Sequence, residues 1–237
     1  MKKIVKYQEQ VLKALSGKVD DFYLAGGTAL SLFYFRHRLS VDLDFFTRDF
    51  AYSGIKRIAG YLEDRLKKKV SLIGQTLEKK TAKMVVYNVH FTATDALKID
   101  FVEDTVELLK QTKVMDGTRV LSLEDIYLRK LYALVGMVKV TDETGKDKFT
   151  GGRADAKDFY YTYFLSHTFM PLSRFVVKYC DRTVMEAIIR WFRTFDRMAM
   201  MDGVLALDTD KAADCRVIEK HFKKEVDKIL EYELGGL

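Results

Sequence analysis

The stretch Phe22-Tyr23-Leu24-Ala25-Gly26-Gly27-Thr28-Ala29-Leu30-Ser31-Leu32, followed closely by Arg38-Leu39-Ser40-Val41-Asp42-Leu43-Asp44-Phe45-Phe46, carries the strongest signal in this 237-residue chain. A short apolar run ends at two glycines, Gly26 and Gly27. These let backbone N–H groups approach phosphate oxygens closely, and a helix starting there directs its positive end at the same place. Thr28 can add a hydroxyl. In the strand expected over 41–47, Asp42 and Asp44 share one face, while Val41, Leu43 and Phe45 share the other and are expected to be buried. Aspartate is disfavoured in strands. Two carboxylates about 6 Å apart repel by roughly 2–3 kcal/mol at an effective dielectric of about 20, so a cation is expected between them. Mg²⁺ or Mn²⁺ suits carboxylates shared with phosphate oxygens and water.

Working outward, three runs read as strands: Val70-Ser71-Leu72-Ile73-Gly74, Met84-Val85-Val86-Tyr87-Asn88-Val89-His90-Phe91 and Leu97-Lys98-Ile99-Asp100-Phe101-Val102. They are short, β-branched or aromatic, and separated by polar turns. In the last run Leu97, Ile99 and Phe101 face the core, leaving Lys98 and Asp100 together on the opposite face. Asp100 is either the third carboxylate that a two-metal centre needs or part of the wet side of an edge strand. Helical stretches at 29–36 and about 54–68 accompany these strands, an order that predicts an α+β fold.

After Ser122 the period changes. Leu123, Ile126, Tyr127, Lys130, Leu131, Leu134 and Val138 fall on one helix face, with Glu124 and Asp125 in the first turn. Further helices are expected over about 156–166, 173–179, 183–200 and 217–234, with no strands between them. The polar, glycine-containing break at 139–153 reads as a mobile loop. The domain boundary is placed near Asp116-Gly117. Lys130 sits on the apolar stripe, where it either snorkels to water or reaches a triphosphate as a point charge. Asp158 either pairs with Lys130 or is an exposed first-turn acid. Arg38 and Ser40 can contact phosphates or serve as ordinary turn residues. His37, His90, His167 and His221 form no metal-ligand spacing, and Trp191, Phe192 and Phe195 are expected to pack a helical core.

Composition limits the classes. Nearly half of the residues are hydrophobic and only Pro171 interrupts as proline, which describes a folded protein rather than a disordered one. No stretch approaches the roughly 18 apolar residues of a spanning helix and no signal-peptide pattern opens the chain, so a cytoplasmic protein without membrane contact is expected. Cys180 and Cys215 lack zinc-ligand spacing and read as reduced thiols. The net charge of +6 lies entirely in the first half, with 20 basic against 14 acidic residues in 1–115 and 20 against 20 in 116–237. The clusters Arg36-His37-Arg38, Lys67-Lys68-Lys69 and Lys79-Lys80 would draw a polyanion toward it.

Taken together, the glycine turn and the Asp-x-Asp run resemble the signature of the DNA-polymerase-β-like nucleotidyltransferase superfamily, with thirteen residues between Thr28 and Asp42. Within it, Leu24-Ala25-Gly26-Gly27-Thr28-Ala29-Leu30 and the run from Arg38 to Phe46 look like the AbiEii/AbiGii toxin family, relatives of the MenT toxins. Leu128-Arg129-Lys130-Leu131-Tyr132-Ala133-Leu134 resembles the family's helix with an inward lysine, and Lys157-Asp158-Phe159-Tyr160 its basic-Asp-aromatic-Tyr segment. The resemblance runs from about 22 to 165. Family members often carry a second aspartate three residues after the first; here that position is Tyr161.

The resemblance implies a nucleotidyltransferase-like mixed sheet with flanking helices, followed by a C-terminal helical bundle. It assigns 1–115 to the nucleotidyltransferase core and 116–237 to a helical domain contributing to the active-site cleft. The implied reaction moves a nucleoside monophosphate from an NTP to an acceptor hydroxyl. Asp42 and Asp44 bind both metals, Asp100 binds the catalytic one, the Gly26-Gly27-Thr28 turn holds the β- and γ-phosphates, and Lys130 neutralises developing charge. The implied setting is a toxin–antitoxin or phage-defence system acting on tRNA or nucleotides, with tRNA the expected acceptor and a cognate antitoxin protein as partner. A small aminoglycoside-like acceptor and a non-catalytic nucleotide-binding relic are the competing expectations.

Overall fold

Seven strands form one mixed sheet in the order β3-β4-β5-β2-β1-β7-β6. They are β1 (Tyr23–Leu24), β2 (Leu43–Thr47), β3 (Val70–Thr76), β4 (Met84–His90), β5 (Ala96–Glu103), β6 (Lys113–Met115) and β7 (Thr118–Val120). The computed structural model describes residues 2–35, 40–78, 81–136, 138–141, 147–150, 155–207 and 214–235. The chain divides into two units, Met1–Ser122 and Leu123–Leu237.

In the first unit, β3, β4 and β5 make an antiparallel meander, and β5 then pairs in parallel with β2. That parallel step is the one that matters for chemistry, because it sets Leu43, Asp44 and Phe45 opposite Ile99, Asp100 and Phe101. The apolar members of this register are buried, and Phe101 stacks on Phe45 with ring centres 5.7 Å apart while meeting the edge of Phe22 at 5.3 Å. Burial of one face leaves the aspartates on the other.

Three helices flank the sheet. The sequence reading passed over α1 (Lys2–Leu15), whose buried face carries Gln8, Val11, Leu12 and Leu15 at helical spacing. The short α2 (Gly26–Ala29) continues as a π-helical turn from Leu30 to Tyr34. Helix α3 (Tyr52–Leu66) buries Ile55, Ala59 and Leu62 and ends where Lys67 turns left-handed. The hairpin β6–β7 was also missed, since each strand has only three residues. Asp116 and Gly117 both adopt positive φ, as a tight hairpin turn demands, so this dipeptide lies inside the first unit rather than at a boundary.

The second unit contains α4 (Leu123–Val135), α5 (Ala156–Thr168), α6 (Leu172–Tyr179), α7 (Arg182–Thr194), α8 (Arg197–Leu205) and α9 (Cys215–Gly235). Two expectations are corrected here. The segment read as one helix over 183–200 breaks, because Phe195 turns extended toward the core and Asp196 caps a new helix by accepting the Ala199 N–H. The segment expected to lack strands contains the hairpin β8 (Val138–Thr141) with β9 (Asp147–Thr150). Its β-branched and aromatic residues supply strand propensity that the surrounding glycines and charges obscured; 142–146 and 151–154 lie outside the described residues.

Trp191, Phe195, Phe159 and Phe222 form the aromatic centre of this unit, with Phe159 stacked on Phe222 at 4.9 Å. Phe159 is fully buried. Phe159→Ala is expected to cost about 3–5 kcal/mol, measured by urea unfolding followed through Trp191, the sole tryptophan. A loss below about 1 kcal/mol would contradict this packing.

Candidate active site

The candidate site starts from a backbone exchange. Ala25 N–H donates to the Asp44 carbonyl at 2.9 Å, which ties the end of β1 to β2 and leaves Gly26 against the Asp44 side chain. Gly26 has φ +68°, and a Cβ built on it would stand 2.5 Å from Asp44 Oδ2. Two separate facts therefore require glycine here: the left-handed backbone and the carboxylate filling the space.

Across the parallel ladder, Asp44 faces Asp100. Neighbouring strands lie about 4.8 Å apart, so the two carboxylates are close neighbours on one face. Asp100 is buried at 8 % exposure.

Asp42 differs from expectation. The strand begins at Leu43, one residue later, and Val41 is 53 % exposed instead of joining the core. Asp42 is held from its backbone: the fully buried Thr28 hydroxyl donates to its carbonyl, and Gln8 Nε2 donates to it at 3.3 Å and to the Ser40 carbonyl at 2.9 Å. Thr28 Oγ1 also lies 2.8 Å from Ser40 Oγ. The side chains of Thr28 and Ser40 are thus engaged with each other and, through Thr28, with the segment that carries Asp42. Arg38 and His37 lie outside the described residues. Gln8 was missed; its signal was a polar residue on the apolar stripe of α1.

Lys98 completes the cluster. Its Nζ lies 2.8 Å from Asp100 Oδ2 and 3.8 Å from Asp42 Oδ2. Burial pulls the ammonium pKa down, but the hydrogen bond to Asp100 and the negative charges of Asp100, Asp42 and Asp44 outweigh it, so the group is held above the ordinary lysine value. Among the described residues, no three His, Cys, Asp or Glu side chains are drawn together tightly enough to form a ready-made metal cage. The donor set nevertheless fits a hard divalent cation, since all its ligating atoms are carboxylate oxygens and the space between two of them already accommodates a cationic group.

In the second unit, Lys130 Nζ lies 2.8 Å from Asp158 Oδ1 and 4.9 Å from the centre of the Tyr161 ring. Asp158 and Tyr161 are buried, so the lysine is fixed by a charge and by an aromatic face. Of the two readings of Asp158, pairing with Lys130 is the one observed. Tyr161 occupies the position where a second aspartate was expected and contributes its π-face there. The remaining histidines within the described residues serve packing and hydrogen bonds: His90 Nε2 lies 2.8 Å from Ser71 Oγ, and His221 Nε2 lies 2.7 Å from Ser166 Oγ.

The requirement for glycine can be isolated. Gly26→Ala is expected to lose at least about 2 kcal/mol of unfolding free energy, from left-handed strain and the displaced Asp44 side chain. Gly60→Ala, in α3 with nothing within 4 Å of the added Cβ, is expected to gain roughly 0.5–1 kcal/mol. Paired urea melts check both, and equal effects at the two positions would contradict the geometry.

Solved structures of other proteins share this fold. A Helicobacter pylori protein whose crystal structure is described as that of a nucleotidyltransferase superposes with a TM-score of 0.60 at 18 % identity, covering 96 % of this chain and 93 % of that one. JHP933 from Helicobacter pylori gives 0.56 at 18 % identity, with 98 % and 94 % covered. MenT4, a nucleotidyltransferase toxin of Mycobacterium tuberculosis H37Rv, gives 0.50 at 16 % identity, with 96 % and 82 % covered. Among curated proteins none matches this sequence. The profile of the family described as nucleotidyl transferase AbiEii toxin, type IV toxin–antitoxin system, matches residues 10–234. With nearly its whole length matched, the chain belongs to the AbiEii family of nucleotidyltransferase toxins.

Proposed function

We propose that this nucleotidyltransferase moves a nucleoside monophosphate from an NTP to a hydroxyl of tRNA, with pyrophosphate leaving, and does so with divalent cations held by Asp42, Asp44 and Asp100. The observation that carries the proposal is the pairing of Asp44 with Asp100 across β2 and β5, with Gly26 packed against Asp44. Mg²⁺ or Mn²⁺ bound to these oxygens would supply activation of the attacking hydroxyl and neutralise the leaving pyrophosphate.

The chain's own residues do the positioning. Gly26 brings the start of α2 directly against the Asp44 carboxylate, which fills the space a side chain would take, and Gly27 is buried, so the proposed phosphate contact falls to the half-exposed Gly26 backbone. Gln8 and Thr28 fix the Asp42 backbone, so that its carboxylate is preorganised rather than recruited. Within the second unit, Lys130 oriented by Asp158 is the cation proposed to bind phosphate. A tRNA acceptor is supported by the basic excess of residues 1–115, including the exposed Lys67 and Lys69. Family membership supports a cognate antitoxin protein as partner. No helix among the described residues is long and apolar enough to cross a membrane.

The assay is incubation with each of four α-labelled NTPs, Mg²⁺ and total tRNA, followed by a denaturing gel. Label is expected on tRNA with at least one nucleotide, and Asp44→Asn is expected to lose roughly 10²-fold or more in rate. Lys130→Met is expected to lose activity by a comparable factor while keeping its fold by circular dichroism. Pyrophosphate release that is equal in wild type and Asp44→Asn would refute catalysis at this site. Labelling of small acceptors in place of tRNA would move the acceptor assignment to the aminoglycoside-like class.

A further inference from the structure

The function derived above leaves Lys98 without a task, although it stands at the centre of the acidic cluster. Its neighbours Leu97 and Ile99 are fully buried and hold β5 rigidly, so the side chain has one face to project from, and on that face it meets the carboxylates of Asp100 and Asp42. The same oxygen, Asp100 Oδ2, that would serve a divalent ion takes the Lys98 ammonium at 2.8 Å, and Asp42 Oδ2 lies 3.8 Å from it. The Lys98 side chain is 39 % exposed, so its flexible stem has an open route toward solvent.

We propose that Lys98 is a resident counter-cation that holds the acidic cluster together in the metal-free protein and is displaced when a divalent ion enters, so that it sets the metal affinity of the site. This rests on the reading of Asp42, Asp44 and Asp100 as metal ligands. Without Lys98, the carboxylates repel one another across the parallel ladder, and the metal-free state loses stability. With it, an incoming ion must compete against a charge already in place, and the site binds divalent cations more weakly than its three carboxylates alone would. Lys98 is a positioning residue in this account, because it acts through the carboxylates.

The test is Mn²⁺ titration by isothermal calorimetry on the full chain, with thermal melts in EDTA and in saturating Mn²⁺. The proteins are wild type, Lys98→Met, Lys98→Arg, Asp44→Asn and Lys83→Met. The last removes a positive charge that pairs with Glu103 at 2.7 Å in the same unit, away from the cluster. Lys98→Met is expected to bind Mn²⁺ roughly tenfold more tightly than wild type. It is also expected to melt below wild type in EDTA and to recover when Mn²⁺ is saturating. Lys98→Arg and Lys83→Met should bind as wild type does. If Lys98→Met binds no more tightly than wild type, or Lys83→Met shows the same gain, while Asp44→Asn abolishes binding, the role of Lys98 is overturned and the metal site stands. If neither wild type nor Lys98→Met binds Mn²⁺ saturably, both readings fall.

Discussion

Everything in the candidate site follows from one constraint: negative charge is gathered on a sheet face where it repels itself. Two carboxylates about 5 Å apart cost roughly 3 kcal/mol at an effective dielectric of about 20, a large share of the stability of an ordinary domain. The fold tolerates this because the opposite face of the same two strands is a continuous apolar surface, with Leu43, Phe45, Ile99 and Phe101 at 0–1 % exposure. The register that buries those four residues cannot be slipped by one position without exposing all of them. Asp44 and Asp100 are therefore held side by side by core packing and not by any attraction of their own.

The surroundings divide the work of holding Asp42. This residue lies just outside the strand, where ladder pairing cannot fix it, and two buried polar side chains from distant segments take over. Gln8 reaches from α1 and Thr28 from α2, both ending on the Asp42 carbonyl. A buried amide and a buried hydroxyl are costly unless bonded. Satisfying them on the Asp42 carbonyl couples the stability of the unit to the placement of the Asp42 side chain. In the second unit a parallel solution appears around Lys130, whose ammonium is fixed by Asp158 and by the face of Tyr161.

Much of this was legible in the residues, for reasons that can be named. The strand alternation at Leu43-Asp44-Phe45 and at Ile99-Asp100-Phe101 fixes which side chains share a face, and glycine before a helix signals close approach of another group. The pairing of β2 with β5 was less accessible, since it joins segments far apart in sequence, and only that pairing brings Lys98 near Asp42. Helix α1 was overlooked because glutamine interrupts its apolar stripe, yet that glutamine holds the backbone at Ser40 and Asp42. The inward bond of Thr28 was not legible: a hydroxyl next to a glycine turn suggests a ligand contact, and its bond to the Asp42 carbonyl depends on the fold. The hairpins β6–β7 and β8–β9 escaped because three- or four-residue strands rich in charge carry little periodic signal.

On the proposed function, Asp42, Asp44 and Asp100 share a divalent cation beside the Gly26 turn. Anomalous scattering from crystals grown with Mn²⁺ and a non-hydrolysable NTP analogue tests it most directly. The expected result is an anomalous peak within about 2.5 Å of carboxylate oxygens of both Asp44 and Asp100, with the analogue's phosphates next to Gly26. A Mn²⁺ peak bound elsewhere, with the three aspartates touching no ion while the nucleotide is present, would contradict it.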